Sequence, residues 1–478
     1  MTEYTTLGLY IDGRFITSGA GRKSEPVFDP ATDEVLAELP HATSAELDEA
    51  VSAAERAFPA WRAKSALERS DILRRAAGLL RDRMDHLCRV MTLEQGKPLA
   101  ESRGEWVHAC EILEWCAEEG RRVYGRIVPS RMPGLDHLVL SEPVGPAAVF
   151  TPWNFPALTP ARKLAAGLAA GCPVILKASE ETPGSAVEIV RALHDAGLPA
   201  GCAQLVFGVP SEVSEQLILA PAIRKVSFTG STQVGRHLMK LAAEGPKRTT
   251  MELGGNGPVI VFSDADYDRT IKTLAAGKFR NAGQVCVSPA RFFVHESLID
   301  RFTQDLAAHA AGLSVGSGLA ADSVMGPLAN GRRVEAMERF IADAEDRGGT
   351  IRAGGKRTGN AGNFFQPTVV TGLDGDALLF SEECFGPIMP IAPFSTVDEA
   401  IEKANSVAAG LAGYAFTSSL DTAQTAMHRI RTGMVGLNTL TISTPETPFG
   451  GVGESGHGSE GGMEGLQAYL DTKLVSLA

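Results

Sequence analysis

Apolar residues recur along this chain with two different periods. Ile72, Ala76, Leu80, Met84, Leu87 and Met91 follow one another at intervals of three or four, which predicts one helix with a single apolar face. Gly96-Lys97-Pro98 stops it, and a further helix is expected over about 99–120. Upstream, residues 8–30 carry short apolar runs between turn residues and read as a small N-terminal sheet. Over 144–262, strand-like runs at 144–150, 173–179, 204–208, 225–230, 249–253 and 258–262 are interleaved with helical stretches, among them 157–171, 185–196 and 232–243. Strands alternating with helices predict a parallel sheet covered on both faces, with ligands beyond the carboxyl ends of its strands. A second alternation begins at 291 and runs to 438, which predicts a second α/β unit. Residues 137–143 form a short alternating strand, and both an edge that pairs with another subunit and a surface hairpin fit it. The last thirty residues are glycine-rich and end in a strand-like tail.

A chain of 478 residues exceeds one core, so two or three domains are expected. Its 44% hydrophobic and 21% charged residues are those of an ordinary globular protein, and no run of 18 apolar residues is present to span a membrane. Net charge is −12 without a basic cluster, which argues against nucleic acid and anionic lipid as partners. The chain start lacks a basic stretch followed by an apolar one, so no secretory leader is expected. The seven cysteines form no C-x-x-C pair, which points to a reducing cytoplasm, and no histidine cluster at ligand spacing calls for a metal.

Cys286 follows the helical run 267–279 and the break at Gly283, at the mouth of an element. Alone, such a cysteine reads as a small buried hydrophobe. Other stretches change that reading: Thr151-Pro152-Trp153-Asn154-Phe155-Pro156, Lys177-Ala178-Ser179-Glu180, Phe228-Thr229-Gly230-Ser231, Glu252-Leu253-Gly254-Gly255-Asn256 and Glu383-Cys384-Phe385-Gly386-Pro387. Several fall at the ends of expected strands. Gly230-Ser231 opens a helix, where free N–H groups suit a pyrophosphate, though a plain turn fits as well. Lys177 and Glu180 can both reach a ligand at their strand's end, or form a solvated pair. The glycines after Glu252 let the backbone bend near a ligand and leave its carboxylate able to enter a cleft.

This set, in this order, resembles the NAD(P)-dependent aldehyde dehydrogenase family over essentially the whole chain, and most closely its succinate semialdehyde dehydrogenase subgroup. The resemblance implies an α/β fold with an NAD-binding domain (1–121 and 144–254), a catalytic domain (255–449) and an oligomerisation segment (122–143 and 450–478), with a homodimer or homotetramer as the assembly. It implies Cys286 as nucleophile, Asn154 as oxyanion donor and Glu252 as the base for thioester hydrolysis. Thr151, Pro152, Trp153, Lys177, Ser179, Glu180, Phe228, Gly230, Ser231, Leu253, Glu383 and Phe385 are implied to hold the cofactor. A carboxylate at Glu180 repels a 2′-phosphate, which favours NAD over NADP.

Arg162 and Arg280 match the subgroup's substrate arginines, with Ser443 and Thr444 in the loop that carries its hydroxyl. Two guanidinium groups suit a carboxylate at the far end of the aldehyde. Structural ion pairs are the other reading of these arginines, and a broad aliphatic or aromatic aldehyde is then the substrate. The pattern departs from the family at Cys384, which stands where an aliphatic residue is usual and reads as packing. It departs again at Ser288, where many members of the subgroup have a second cysteine, so no local disulfide switch is expected. A thiol hydrolase without cofactor would need a histidine beside Cys286, and none falls in these stretches.

Overall fold

The computed structural model describes residues 4–17, 19 and 21–478. Residues 1–3 of the chain start, and positions 18 and 20 of the expected N-terminal sheet, lie outside the described residues.

The architecture is α/β and rests on two sheets. In the first, parallel strands stand in the order Ala203–Val206, Val174–Lys177, Ala147–Phe150, Lys225–Thr229, Arg248–Glu252. The first three are buried at every position. Helices cover both faces, so these strands read as continuous apolar runs rather than alternating ones. From Ala147–Phe150 the chain winds outward to Ala203–Val206 and then crosses back to Lys225–Thr229 on the other side. The strand order therefore reverses beside Phe150. Such a reversal opens a crevice at the carboxyl ends, and residues 151–154 and 229–231 enter it.

The expected N-terminal sheet is divided. Gly8–Ile11 and Arg14–Thr17 form a hairpin on the edge of the first sheet, whereas Ser24–Phe28 pairs separately with Val35–Pro40. The helix expected around Ile72 to Met91 is also two, Ala66–Asp82 and Met84–Gln95, parted at Arg83 (φ −98°, ψ 8°). All six of its marker positions remain buried, so the apolar face continues across the break. Neither glycine nor proline stands at 83 to signal it.

The second sheet runs Thr350–Ala353, Thr368–Thr371, Ile388–Phe394, Pro289–His295, Gly257–Val261, Ala412–Phe416, Met434–Leu437, parallel except at its first edge. Gly257–Val261 continues the first alternation in sequence but lies inside this second sheet, between Pro289–His295 and Ala412–Phe416. A small third sheet joins Leu470–Leu477, Asp136–Pro143 and Arg126–Pro129. The tail reaches it only at its end, since Gly456–His457 pairs with Arg248–Glu252 at the edge of the first sheet. Among the described residues no helix is long and apolar enough to cross a membrane.

Candidate active site

The two large sheets face each other end to end. The first offers the carboxyl ends of its strands, and the second offers the approaches to its strands: residues 254–256 lead into Gly257–Val261, 286–288 into Pro289–His295 and 383–387 into Ile388–Phe394.

Cys286 is delivered to this junction by an unusual turn. The helix Tyr267–Lys278, capped by Asp266, runs into Asn281 (φ 49°), Ala282 (φ 52°) and Gly283 (φ 73°), all left-handed. That conformation costs about 1–2 kcal/mol for a residue with a side chain. Hydrogen bonds hold it. Glu101 accepts from the Asn281 N–H at 2.8 Å, Asn281 Oδ1 accepts from Gln95 Nε2 at 2.8 Å, and Asn281 Nδ2 donates to the Asn154 carbonyl at 3.0 Å. Gly283 is required for space as well as φ, because a Cβ there would lie 2.1 Å from the Gly386 carbonyl oxygen.

Cys286 stands in the wall between two cavities. One, of about 270 Å³, is lined by Lys97, Glu105, His108, Phe155, Arg162, Arg280, Ser443 and Glu460. The other, of about 280 Å³, is lined by Pro152, Trp153, Asn154, Gly230, Ser231, Glu252, Leu253, Glu383 and Phe385. Phe155, Thr159, Thr229 and Phe449 belong to both. Cys286 thus borders both cavities.

Asn154 is fixed from behind. Its carbonyl accepts from Lys97 Nζ at 2.9 Å, and Lys97 pairs with Glu105 at 2.5 Å, both side chains fully buried. Glu105 also accepts the Ala157 N–H at 2.8 Å. The Asn154 side-chain amide donates to the Gln284 carbonyl at 3.0 Å, which ties the two loops together and leaves its second N–H available.

Glu252 is 2% exposed, and neither carboxylate oxygen has a hydrogen-bond partner among the described residues. Burial, then the nearby Glu460, raises its pKa well above the ordinary value against the pull of Lys163 and Arg162. The Cys286 thiol is pushed up to about 12, chiefly by burial and then by Glu383, with Arg162 opposing. At neutral pH the Cys286 side chain therefore rests as the thiol, and Glu252 is biased toward its protonated form. Glu383 is raised to about 7 by burial and accepts the Gly255 N–H at 2.9 Å.

The cavity of about 280 Å³ and the strand ends of the first sheet carry features that fit a dinucleotide. Trp153 and Phe385 meet edge to face at 5.6 Å, and Phe385 is held at φ 49° by Arg333, which donates to its carbonyl at 3.1 Å. Ser231 caps the helix Thr232–Ala243, whose free N–H groups open onto the cavity. The hydroxyls of Thr151 and Thr229 are buried without partners. Lys177 Nζ and Glu180 Oε1 lie 2.5 Å apart at the end of Val174–Lys177, close in charge but out of line for a hydrogen bond. An orphaned set of this kind fits ribose and phosphate oxygens.

Some expected site residues stand apart. Thr151, Lys177, Ser179 and Glu180 line neither cavity. Phe228 is packed beneath Gly230 in the core. The Thr444 hydroxyl is turned to Thr447 Oγ1 at 3.2 Å, away from the cavity that Ser443 lines. Cys384 is buried against Met337.

Lys163, which pairs with Glu460, and the Lys97–Glu105 pair had no signal in the sequence. Lys163 sits beside Arg162 in a buried helix, and Glu460 is one of three glutamates, with Glu454 and Glu464, in a glycine-rich stretch. A lysine at a helix stop and a glutamate in the next helix look like ordinary surface charges until folding buries them together.

The aldehyde dehydrogenase family model matches residues 15–475 of the chain. The 4-(hydroxymethyl)benzenesulfonate dehydrogenase of Comamonas testosteroni is 46% identical over 449 residues, covering 94% of both chains. The NADP-dependent succinate-semialdehyde dehydrogenase of Escherichia coli is 41% identical over 98% of this chain and 97% of its own. Among solved structures, succinate-semialdehyde dehydrogenase from Burkholderia pseudomallei superposes with a TM-score of 0.97 at 42% identity, covering 99% of this chain and 98% of that one.

Proposed function

Because the chain belongs to the aldehyde dehydrogenase family, we propose that it oxidises an aldehyde bearing an anionic group at its far end, with succinate semialdehyde as the leading substrate and NAD as the preferred cofactor. One observation carries the substrate class. Arg162 and Arg280 line the cavity that reaches Cys286, and among the described residues neither guanidinium forms an ion pair. Arg162 is 5% exposed, donates to Ser443 Oγ at 2.6 Å and leaves its buried Nε without a partner. A buried cation such as Arg162 is costly without an anion, and here the substrate supplies it, with the exposed Arg280 beside it. The two curated relatives are named for molecules with an anionic end, a sulfonate in one and a carboxylate in the other, which supports the same reading.

The Cys286 thiol gives up its proton to water, and the thiolate sulfur adds to the aldehyde carbon, whose C=O electron pair moves onto the oxygen. The Asn154 amide and the Cys286 N–H face the oxygen that gains charge, and losing one such donor typically costs about 2.7–4 kcal/mol of transition-state stabilisation. The nicotinamide dinucleotide, when bound, supplies the hydride acceptor. Lys177 and Glu180 hold its ribose, Gly230 and Ser231 its pyrophosphate, and Trp153, Glu383 and Phe385 the nicotinamide end. Glu252 then takes a proton from the water that hydrolyses the thioester on Cys286. Its raised pKa makes the base form scarcer at neutral pH and more plentiful as pH rises. The carboxylate of Glu180 favours NAD, since a 2′-phosphate would meet a like charge.

The chain works as a homodimer or homotetramer. This is supported by the third sheet, which leaves Ile127, Leu474 and Leu477 exposed along its strands. A reducing cytoplasm suits its seven free cysteines.

The test compares kcat/KM with NAD for succinate semialdehyde, butanal and benzaldehyde on the native enzyme and on Arg280→Ala. A lead for the semialdehyde of at least about tenfold, roughly 1.4 kcal/mol, that disappears in the variant supports the two-arginine subsite. Uncharged aldehydes used equally well would make the arginines structural and the enzyme a general aldehyde dehydrogenase.

A further inference from the structure

His108 is a polar group of the substrate-side cavity that the reaction above leaves unused. It lies on the helix Leu99–Glu119 and lines the same cavity as Arg162 and Arg280. It makes no hydrogen bond among the described residues, and its Nε2 is buried without a partner. Native interiors rarely leave a ring nitrogen in that state. Burial, then the fields of Arg162 and Arg280, lowers its pKa to about 4, with Glu446 opposing, so the ring is neutral at pH 7. A neutral imidazole still offers one N–H donor. Between two guanidinium groups it adds that donor without adding a third positive charge.

We propose that His108 is a specificity-determining residue, the third polar group of the subsite for the aldehyde's anionic end, donating to one of its oxygens beside Arg162 and Arg280. This rests on the anionic-substrate reading above. A carboxylate has about four acceptor positions, which two guanidinium groups fill only if both pair with it bidentately, and Arg162 already spends one N–H on Ser443. A donor from the facing helix fixes the remaining oxygen and with it the orientation of the chain that ends in the aldehyde. An uncharged aldehyde of similar size offers no acceptor there. Carboxylate and sulfonate share this chemistry, and the sulfonate's third oxygen makes fuller use of a third donor.

The experiment measures kcat and KM with NAD for succinate semialdehyde, 4-formylbenzenesulfonate and butanal on the native enzyme, His108→Phe and His108→Gln. Phenylalanine keeps a flat ring without an N–H, whereas glutamine keeps a donor. If the proposal holds, His108→Phe lowers the ratio of kcat/KM for the better anionic substrate over butanal by about tenfold, mainly through KM, and His108→Gln recovers most of it. A greater loss for the sulfonate marks that end group as the natural one, and a greater loss for the semialdehyde marks the carboxylate. A ratio that moves less than twofold in His108→Phe, or falls as far in His108→Gln, makes His108 a wall residue and overturns the proposal. His108→Leu takes the place of His108→Phe if that variant does not fold. A native enzyme with no preference for either anionic aldehyde over butanal overturns the earlier reading instead, so the two failures are distinguishable.

Discussion

Replacing Asn281 separates the backbone strain of the Cys286 turn from the hydrogen bonds that maintain it. Asn281→Ala strands Gln95, which is 0% exposed and gives its amide to Asn281 Oδ1 at 2.8 Å. An orphaned buried donor costs about 1–3 kcal/mol. Alanine, like asparagine, carries a Cβ and bears the same left-handed cost at φ near 49°, so its loss is about 1–3 kcal/mol. Asn281→Gly loses the same hydrogen bonds but sheds about 1–2 kcal/mol of that backbone cost, so its loss is smaller. Native, Gly variant, Ala variant is therefore the expected order of falling unfolding midpoints in a thermal or urea titration, an order opposite to that of a regular helix or strand. The Asn154 carbonyl keeps Lys97 at 2.9 Å in both variants but loses its tie to the nucleophile turn. A misplacement of about 1 Å between reacting groups can cost on the order of a hundredfold in rate, so kcat should fall at least about tenfold in both. An alanine variant as stable as the glycine one would refute the strain argument. Full activity in both would show that this turn does not position Cys286.

Further outcomes follow from the charges around the site. Because the Cys286 thiol is pushed up to about 12, its thiolate fraction grows across the accessible pH range. Alkylation of Cys286 by iodoacetamide, followed by mass spectrometry, should quicken about tenfold per unit between about pH 7 and pH 9, and a plateau below the ordinary thiol value of about 8.5 contradicts the burial effect. Glu252→Gln should still release one equivalent of NADH in a rapid burst while steady turnover falls about a hundredfold or more; a missing burst moves Glu252 to the first stage. Glu180→Ser should narrow the preference for NAD over NADP about tenfold in kcat/KM, and an unchanged ratio means that this carboxylate does not reach the ribose.

The fold was legible because burial on both faces forces long apolar runs, and their alternation with amphipathic helices admits few arrangements. Where the sequence misled, local pattern could not see pairing. The hairpin Gly8–Ile11 with Arg14–Thr17 has the composition of an independent small sheet, yet it adds to the edge beside Ala203–Val206. The break at Arg83 lacks the glycine or proline that marks most helix ends. Gly257–Val261 continues one alternation in sequence and joins the other sheet in space.

Sequence by itself determined the chemistry available to this protein. Cys286, Glu252 and Asn154 stand in motifs whose glycines and flanking strands are local features, and their order along the chain sufficed to identify the family. Only the tertiary structure decided which charges are stripped of water and which are left without partners. Lys97 and Glu105 become a buried pair behind Asn154, while Glu460 raises the pKa of Glu252 from more than two hundred positions away along the chain. His108 carries no signal on its helix and comes to line one cavity with Arg162 only when the two helices pack together. A residue type carries its functional groups wherever it stands in the chain. The cost of burying them, and the partner that offsets it, come from residues that the chain brings together only by folding.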